Sequence, residues 1–241
     1  MPPRFEIVRE TGSTNADLLA RIRSGNAPPE GFWLIADAQV AGRGRQGRNW
    51  LDAPGNFMGS TVVHLGPDQP PPASLSFAAA LALYETIIEV LGRPVGVTLK
   101  WPNDVLIGGA KFSGILLERE GAHAVIGIGV NLSAAPDIAG RSTRSLAQSG
   151  PAPDRDAFAR VLALQMDREL ARWREFGLAP LLERWLAAAH PAGAPLSVHD
   201  SSGVRLSGHF AGVTDDGALR LSLANGEVRV IHAGDVELEG N

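Results

Sequence analysis

Apolar positions recur along this 241-residue chain in two rhythms. "FEIVRE" (5–10), "FWLIADAQ" (32–39) and "FMGSTVVHL" (57–65) are short runs rich in β-branched and aromatic residues, and each predicts a strand. Between the first two, "GSTNADLLARIRSG" puts Leu18, Leu19 and Ile22 on one helical face, with Ser13 or Thr14 able to cap the helix and Gly25 to end it. A proline-rich connection (66–73) leads into helical periodicity over 73–91, closed by Gly92. "GVTLKWPNDVLIGGAKFSGILLERE" reads as two strands joined at Gly108-Gly109, and "HAVIGIGVNLS" (123–133) as a glycine-rich strand. Residues 134–154 read as loop, and 155–176 and 180–189 as helices, with Pro180 at a helix start.

The rhythm changes near Pro191. About five short alternating segments follow, with "DDG" (215–217) and "NG" (225–226) as turn signals between them. That spacing predicts a small β-barrel. The expected fold class is therefore α+β: a mixed β-sheet catalytic domain flanked by helices over 1–190, then a barrel domain over 191–241.

Composition narrows the function. Hydrophobic residues make up 44% of the chain, enough for a substantial core. A formal net charge of −4 argues against general attraction to nucleic acid or anionic membrane. The absence of cysteine excludes disulfides, thiolate metal sites and a cysteine nucleophile, and fits a cytoplasmic protein. The N-terminus lacks the apolar core of a signal peptide. The longest apolar stretch, "FAAALALYETIIEVL", is interrupted by Tyr84, Glu85, Thr86 and Glu89 and reads as a buried or amphipathic helix rather than a membrane span. The six histidines show no metal-ligand spacing, and there is no nucleophile elbow, Walker A loop or G-x-G-x-x-G after a strand.

Against this acidic background, "AGRGRQGRNW" (41–50) interleaves Arg43, Arg45 and Arg48 with Gly42, Gly44 and Gly47. Arginine forks match phosphate and carboxylate oxygens, and glycines let the backbone approach a ligand. An extended loop around 43–45 would point Arg43 and Arg45 to the same side. Trp50 offers a stacking face. The alternative is a mobile basic loop or an RNA-touching segment. In "KWPNDVLIGGAKFSGIL" (100–116), Asn103 and Asp104 stand at a strand start, Asp104 able to hold Mg²⁺ or receive an amine. Lys111 lies beside Gly114, whose missing side chain would leave ligand space. A plain hairpin with a surface lysine is the other reading. "GSTN" (12–15) could bind a polar head group or simply cap a helix. Asn131, in "GIGVNL", could read an adenine edge or serve as a turn residue.

"STN", "GRGRQGR" with Trp50, "KWPND" with "KFSGIL", and "GIGVNL", in this order, resemble the biotin–protein ligases, from about residue 7 to the C-terminus. The terminal barrel looks like that family's SH3-like domain. The resemblance implies activation of biotin by Mg·ATP to biotinoyl-5′-AMP, then transfer to a lysine of a biotin carboxyl carrier domain, by a monomer or homodimer. It implies that Ser13, Thr14 and Asn15 meet biotin's ureido ring, with Gln39 alongside. Arg43, Gly44 and Arg45 would close over the carboxylate and acyl-phosphate. Trp50 and Asn131 would face the adenine, and Asn103 and Asp104 the phosphates, metal and acceptor lysine. Lys111 would bridge carboxylate and α-phosphate, with Gly114 making space.

Many relatives read "GRGRRGR" where this chain has Gln46. "STN" begins at residue 13, which leaves no room for the DNA-binding domain of repressor members, so ligase activity without operator binding and no DNA partner is expected. The rivals are a lipoate or octanoate ligase of related fold, a nucleic-acid-binding module, and a non-catalytic biotin-binding protein.

Overall fold

The computed structural model describes residues 3–92, 96–200 and 204–238. A seven-stranded sheet and a five-stranded sheet carry the chain. The first contains β1 (Arg4–Thr11), β2 (Phe32–Gln39), β3 (Phe57–His64), β4 (Val97–Lys100), β5 (Asp104–Ile107), β6 (Ala110–Glu120) and β7 (His123–Val130), in the order β1-β2-β3-β7-β6-β5-β4. Only β1 and β2 run parallel; every other neighbouring pair is antiparallel. Helix α1 (Thr14–Arg23) makes the β1–α1–β2 crossover that parallel pairing requires.

The two faces of this sheet follow from the period of two. Leu34, Val62 and Val125 pack on Leu18 and Leu19 of α1. Their neighbours Trp33, Ile35, Val63, Ala124 and Ile126 point the other way, into the main core beneath α2 (Leu75–Leu91) and α3 (Arg155–Phe176). Helix α2 has the length and composition of a membrane span, but most of its residues are buried inside the molecule. It packs on α3 and on α4 (Leu178–Ala188) as the central core helix.

The "KWPND" region corrects one expectation. Residues 97–120 form three strands rather than two: the chain reverses at 101–103, where the Trp101–Pro102 peptide is cis, and Lys100 comes to pair with Asp104. The Gly108-Gly109 turn then joins β5 to β6, both glycines having positive φ.

The second sheet is built from β8 (Pro195–Asp200), β9 (Arg205–Val213), β10 (Leu219–Ser222), β11 (Val228–Ile231) and β12 (Gly234–Leu238), all antiparallel. Its inward residues Leu196, Val198, Phe210 and Leu219 share one core with the large sheet. Trp101 donates its indole N–H to Gly217 O at 3.0 Å, and Lys100 Nζ donates to Val236 O at 2.9 Å. These bonds fasten the small sheet to the turn that begins the functional site.

Candidate active site

Three glycines open the site. Gly127 and Gly129 continue the face that carries Val125, and Gly114 pairs with Gly129 across β6 and β7. Where α1 ends its cover of that face, the side chains vanish and a trough forms. Asn15 lies in it over Gly127, where a Cβ would come within 2.9 Å of its Cγ. The Trp50 ring lies over Gly129, where a Cβ would come within 2.6 Å of Cζ2. The surrounding cleft measures about 500 Å³.

At one end sits a buried polar cluster. Ser13 occupies the N-cap position of α1 without a side-chain capping bond. The first helical N–H, of Thr14, donates instead to Gln39 Oε1 at 2.8 Å. Capping is thus supplied from β2, and the hydroxyl of Ser13 lines the cleft. Thr14 Oγ1 lies 2.6 Å from Ser60 Oγ, Ser60 Oγ donates to Asn15 Oδ1 at 2.6 Å, and Asn15 Nδ2 donates to Glu118 Oε2 at 2.9 Å. Thr14, Asn15 and Ser60 are almost wholly buried. Ser60 and Glu118 carried no motif signal in the sequence.

At the other end is an ionic centre. Asp104 Oδ1 pairs with Lys111 Nζ at 2.6 Å, and Oδ2 with Lys100 Nζ at 3.2 Å. Burial alone would raise the Asp104 carboxyl, but Lys111 and Lys100 outweigh it and hold it below its ordinary value. Burial pulls the Lys111 ammonium down, with Asp104 opposing. Arg45 donates to Asn103 Oδ1 at 3.2 Å, and Asn103 Nδ2 donates to Ile115 O at 2.6 Å. Burial also lowers the Arg45 guanidinium, again opposed by Asp104. Arg45 and Lys111, 66 positions apart in sequence, therefore face one centre. Arg48 and Arg141 line the same cleft and repel each other. Among the described residues, its acidic lining consists of Asp104 and Glu237. A cleft this cationic in a chain of net charge −4 is suited to a polyanion.

The glycine–arginine loop is not extended through residue 45. Gly44 N donates to Arg48 O at 2.7 Å and Trp50 N to Gly42 O at 2.9 Å, so the loop is a tight hairpin. Its tip at Arg45–Gly47 holds Gln46 (φ 55) and Gly47 (φ 71) in the left-handed region. In consequence Arg43 and Arg45 diverge. Arg43 lies 3.7 Å from Glu118, beside the polar cluster, while Arg45 reaches Asn103 at the ionic centre. Gly42 must lack a side chain, because a Cβ would meet Trp50 O at 2.7 Å.

The remaining expected positions also line the cleft. Asn131 donates to Arg144 O at 3.2 Å, and its buried Oδ1 has no partner; the buried Trp50 Nε1 has none either. These two groups, an acceptor and a donor, suit a heterocyclic edge. The space beside Gly114 is filled by Trp50, 3.1 Å from a Cβ built there, and by Lys111 Nζ at 3.5 Å. Gly114 therefore seats those two side chains. Residues 142–144 run alongside β6, bonded to the backbone of Lys111 on both sides. Asp104, expected to hold Mg²⁺, has each oxygen on a lysine, and no group of three His, Asp or Glu able to hold a metal occurs among the described residues. The donor set does not fit a protein-held metal centre.

Comparison with known proteins gives the family. Residues 8–131 match the biotin/lipoate A/B protein ligase family, and residues 203–239 match the biotin protein ligase C-terminal domain. The chain is 37% identical over 247 residues to the biotin–[acetyl-CoA-carboxylase] ligase of Paracoccus denitrificans, covering 97% of this chain and 100% of the relative. The corresponding ligase of Mycobacterium tuberculosis is 37% identical over 238 residues, covering 97% and 88%. The biotin protein ligase of Aquifex aeolicus, solved in complex with biotin and ATP, superimposes with a TM-score of 0.86 at 22% identity, covering 98% of this chain and 99% of that one. The fold, the two family matches and these full-length relatives agree, and the chain belongs to the biotin–protein ligase family and is a biotin–protein ligase.

Proposed function

We propose that the enzyme joins biotin to ATP in this cleft to form biotinoyl-5′-AMP, and then passes the biotinyl group to a lysine of a biotin carboxyl carrier domain. The observation that carries the reading is the convergence of Arg45 and Lys111 on one end of a cleft whose other end is the polar Thr14–Ser60–Asn15 cluster. In the first step a carboxylate oxygen of biotin attacks the α-phosphorus and pyrophosphate leaves. Two anions must meet, so the chain's part is to position them and to neutralise charge. Lys111 would bridge the carboxylate and the α-phosphate. Arg45, steadied by Asn103, covers the acyl-phosphate. In the second step the carrier amine attacks the acyl carbon and AMP leaves. Asp104, held ionised between two lysines, is the carboxylate that would orient that amine.

Ser13, Thr14, Asn15 and Gln39 would meet the ureido ring, with Arg43 and Gly44 closing the loop over the carboxylate. Trp50 and Asn131 would take the adenine through Nε1 and Oδ1, both buried and without partners among the described residues. The Mg²⁺ would arrive with the triphosphate, because the donors among the described residues make no cage for it. A lipoyl group offers no donor or acceptor to the buried hydroxyls and amide of the head-group end, which disfavours that substrate.

The test is incubation with labelled biotin, Mg·ATP and a carrier domain. Labelled biotinoyl-AMP without carrier, and labelled carrier with it, are the expected results. A thermal shift with lipoate and ATP but not with biotin and ATP would overturn the reading.

A further inference from the structure

Glu118 stands behind the cleft rather than in its lining, about a quarter exposed, and its carboxylate meets two elements distant in the chain. Oε2 accepts from Asn15 Nδ2 at the start of α1, and Oε1 lies 3.7 Å from Arg43 in the glycine–arginine loop. We infer that Glu118 is a positioning residue: it fixes the donor–acceptor direction of the head-group end and ties that end to the loop that closes over the acyl-phosphate. The inference rests on the ligase reading given above.

The direction follows from the inventory of each group. Glu118 Oε2 accepts, so Asn15 turns its NH₂ toward Glu118. Its Oδ1 then faces Ser60, which must donate. With the proton of Ser60 spent, the 2.6 Å contact between Ser60 and Thr14 draws the Thr14 hydroxyl proton, in preference to its longer 3.2 Å approach to Gln39 Oε1. Glu118 Oε2 at 2.9 Å, with Leu116 O behind it at 3.4 Å, thus orders Thr14, Ser60 and Asn15 in a single sense. A ring that presents a carbonyl oxygen and N–H groups needs such a fixed pattern, since a flipped amide would oppose a donor to a donor. Arg43 adds the second link. The loop is rich in glycine and needs side-chain anchors to hold one shape, and Arg43 is held toward the same carboxylate that orders the pocket.

The test uses Glu118→Gln, which is nearly isosteric and can present either an acceptor or a donor to Asn15. In ATP–pyrophosphate exchange, KM for biotin should rise about tenfold, the scale of a charge-assisted hydrogen bond, while KM for ATP and the thermal midpoint hold. Escape of biotinoyl-AMP from the enzyme should rise about threefold, the scale of an exposed ion pair. The Glu118→Gln/Arg43→Gln double variant should leak no faster than Arg43→Gln alone. Glu118→Asp, an acceptor that keeps the charge, should recover part of the biotin affinity. The inference is overturned if Glu118→Gln keeps the parental KM for biotin, if KM for ATP rises in step with it, or if the two substitutions add in the leak assay. Failure of the parent protein to form biotinoyl-AMP would instead sink the ligase mechanism itself.

Discussion

Replacing Lys111 with methionine separates a structural role from a chemical one. The substitution keeps the chain's bulk and removes the cation 2.6 Å from Asp104 Oδ1. The Asp104 side chain is 12% exposed, so its charge would be left poorly solvated. Breaking a buried pair costs about 3–5 kcal/mol when nothing replaces the partner. Here Lys100, 3.2 Å away and 15% exposed, still faces Oδ2, which brings the expected cost to ~1–3 kcal/mol. For a chain of this size that corresponds to a fall in Tm of roughly 3–10 °C. The pH dependence has a definite sign. The carboxyl of Asp104 is depressed in the folded state, so its contribution is present above the unfolded value and is lost as pH falls through the folded one. Without Lys111 the folded value rises, and acid destabilisation begins at higher pH. The chemical cost is separate: removing one group aimed at developing charge slows a step by about 10²–10³. Calorimetry and pyrophosphate exchange measure the two. The decisive variant is Lys111→Met/Asp104→Asn, which removes the stranded charge. It should regain most of the stability and none of the exchange rate. Parental exchange in Lys111→Met, or recovered exchange in the double variant, would refute the assignment of Lys111 to the reacting anions.

Three further outcomes follow from the cleft. Gly129→Ala places a methyl against the Trp50 ring, and because the ring sits on a loop, the loop yields before the sheet does. KM for ATP should rise about tenfold with a Tm change of only a few degrees, read by kinetics and calorimetry together. Asn131→Ala removes a buried acceptor that has no partner among the described residues, and should raise KM for ATP about tenfold while leaving KM for biotin unchanged. His190, pulled down to about 4 by burial and by Lys100, is neutral in the fold and protonated in the unfolded chain between that value and about 6.5. Stability should therefore fall as pH drops through that window, and urea titrations of His190→Gln should show a shallower acid slope.

The site was legible where short-range pattern carries the chemistry. The glycine–arginine run, "KWPND", Lys111 and "STN" are contiguous stretches, and the structure brings all of them to one cleft. The reversal at 101–103 was not legible, because the apolar run on either side of it reads as one strand; in the fold it sets Lys100 beside Asp104. Arg43 and Arg45 looked like a pair from their spacing of two, yet the hairpin tip at 45–47 sends them to opposite ends of the site.

Taken alone, the sequence determined the elements and their order except for the break between β4 and β5, because strand and helix periods act within a few residues. The same holds for the sheet's two faces, written into alternations such as Trp33–Leu34–Ile35. Which side chains share the cleft was decided by strand register and by the fold of the glycine–arginine loop. Ser60 meets Asn15 across 45 positions and Glu118 meets Asn15 across 103, and such pairings arise when backbone hydrogen bonds set β3 against β7 and β7 against β6. Local pattern fixes which face of the sheet a residue takes, and neighbours on that face come from distant strands, so the ordering of the pocket by Glu118 exists only in the folded sheet.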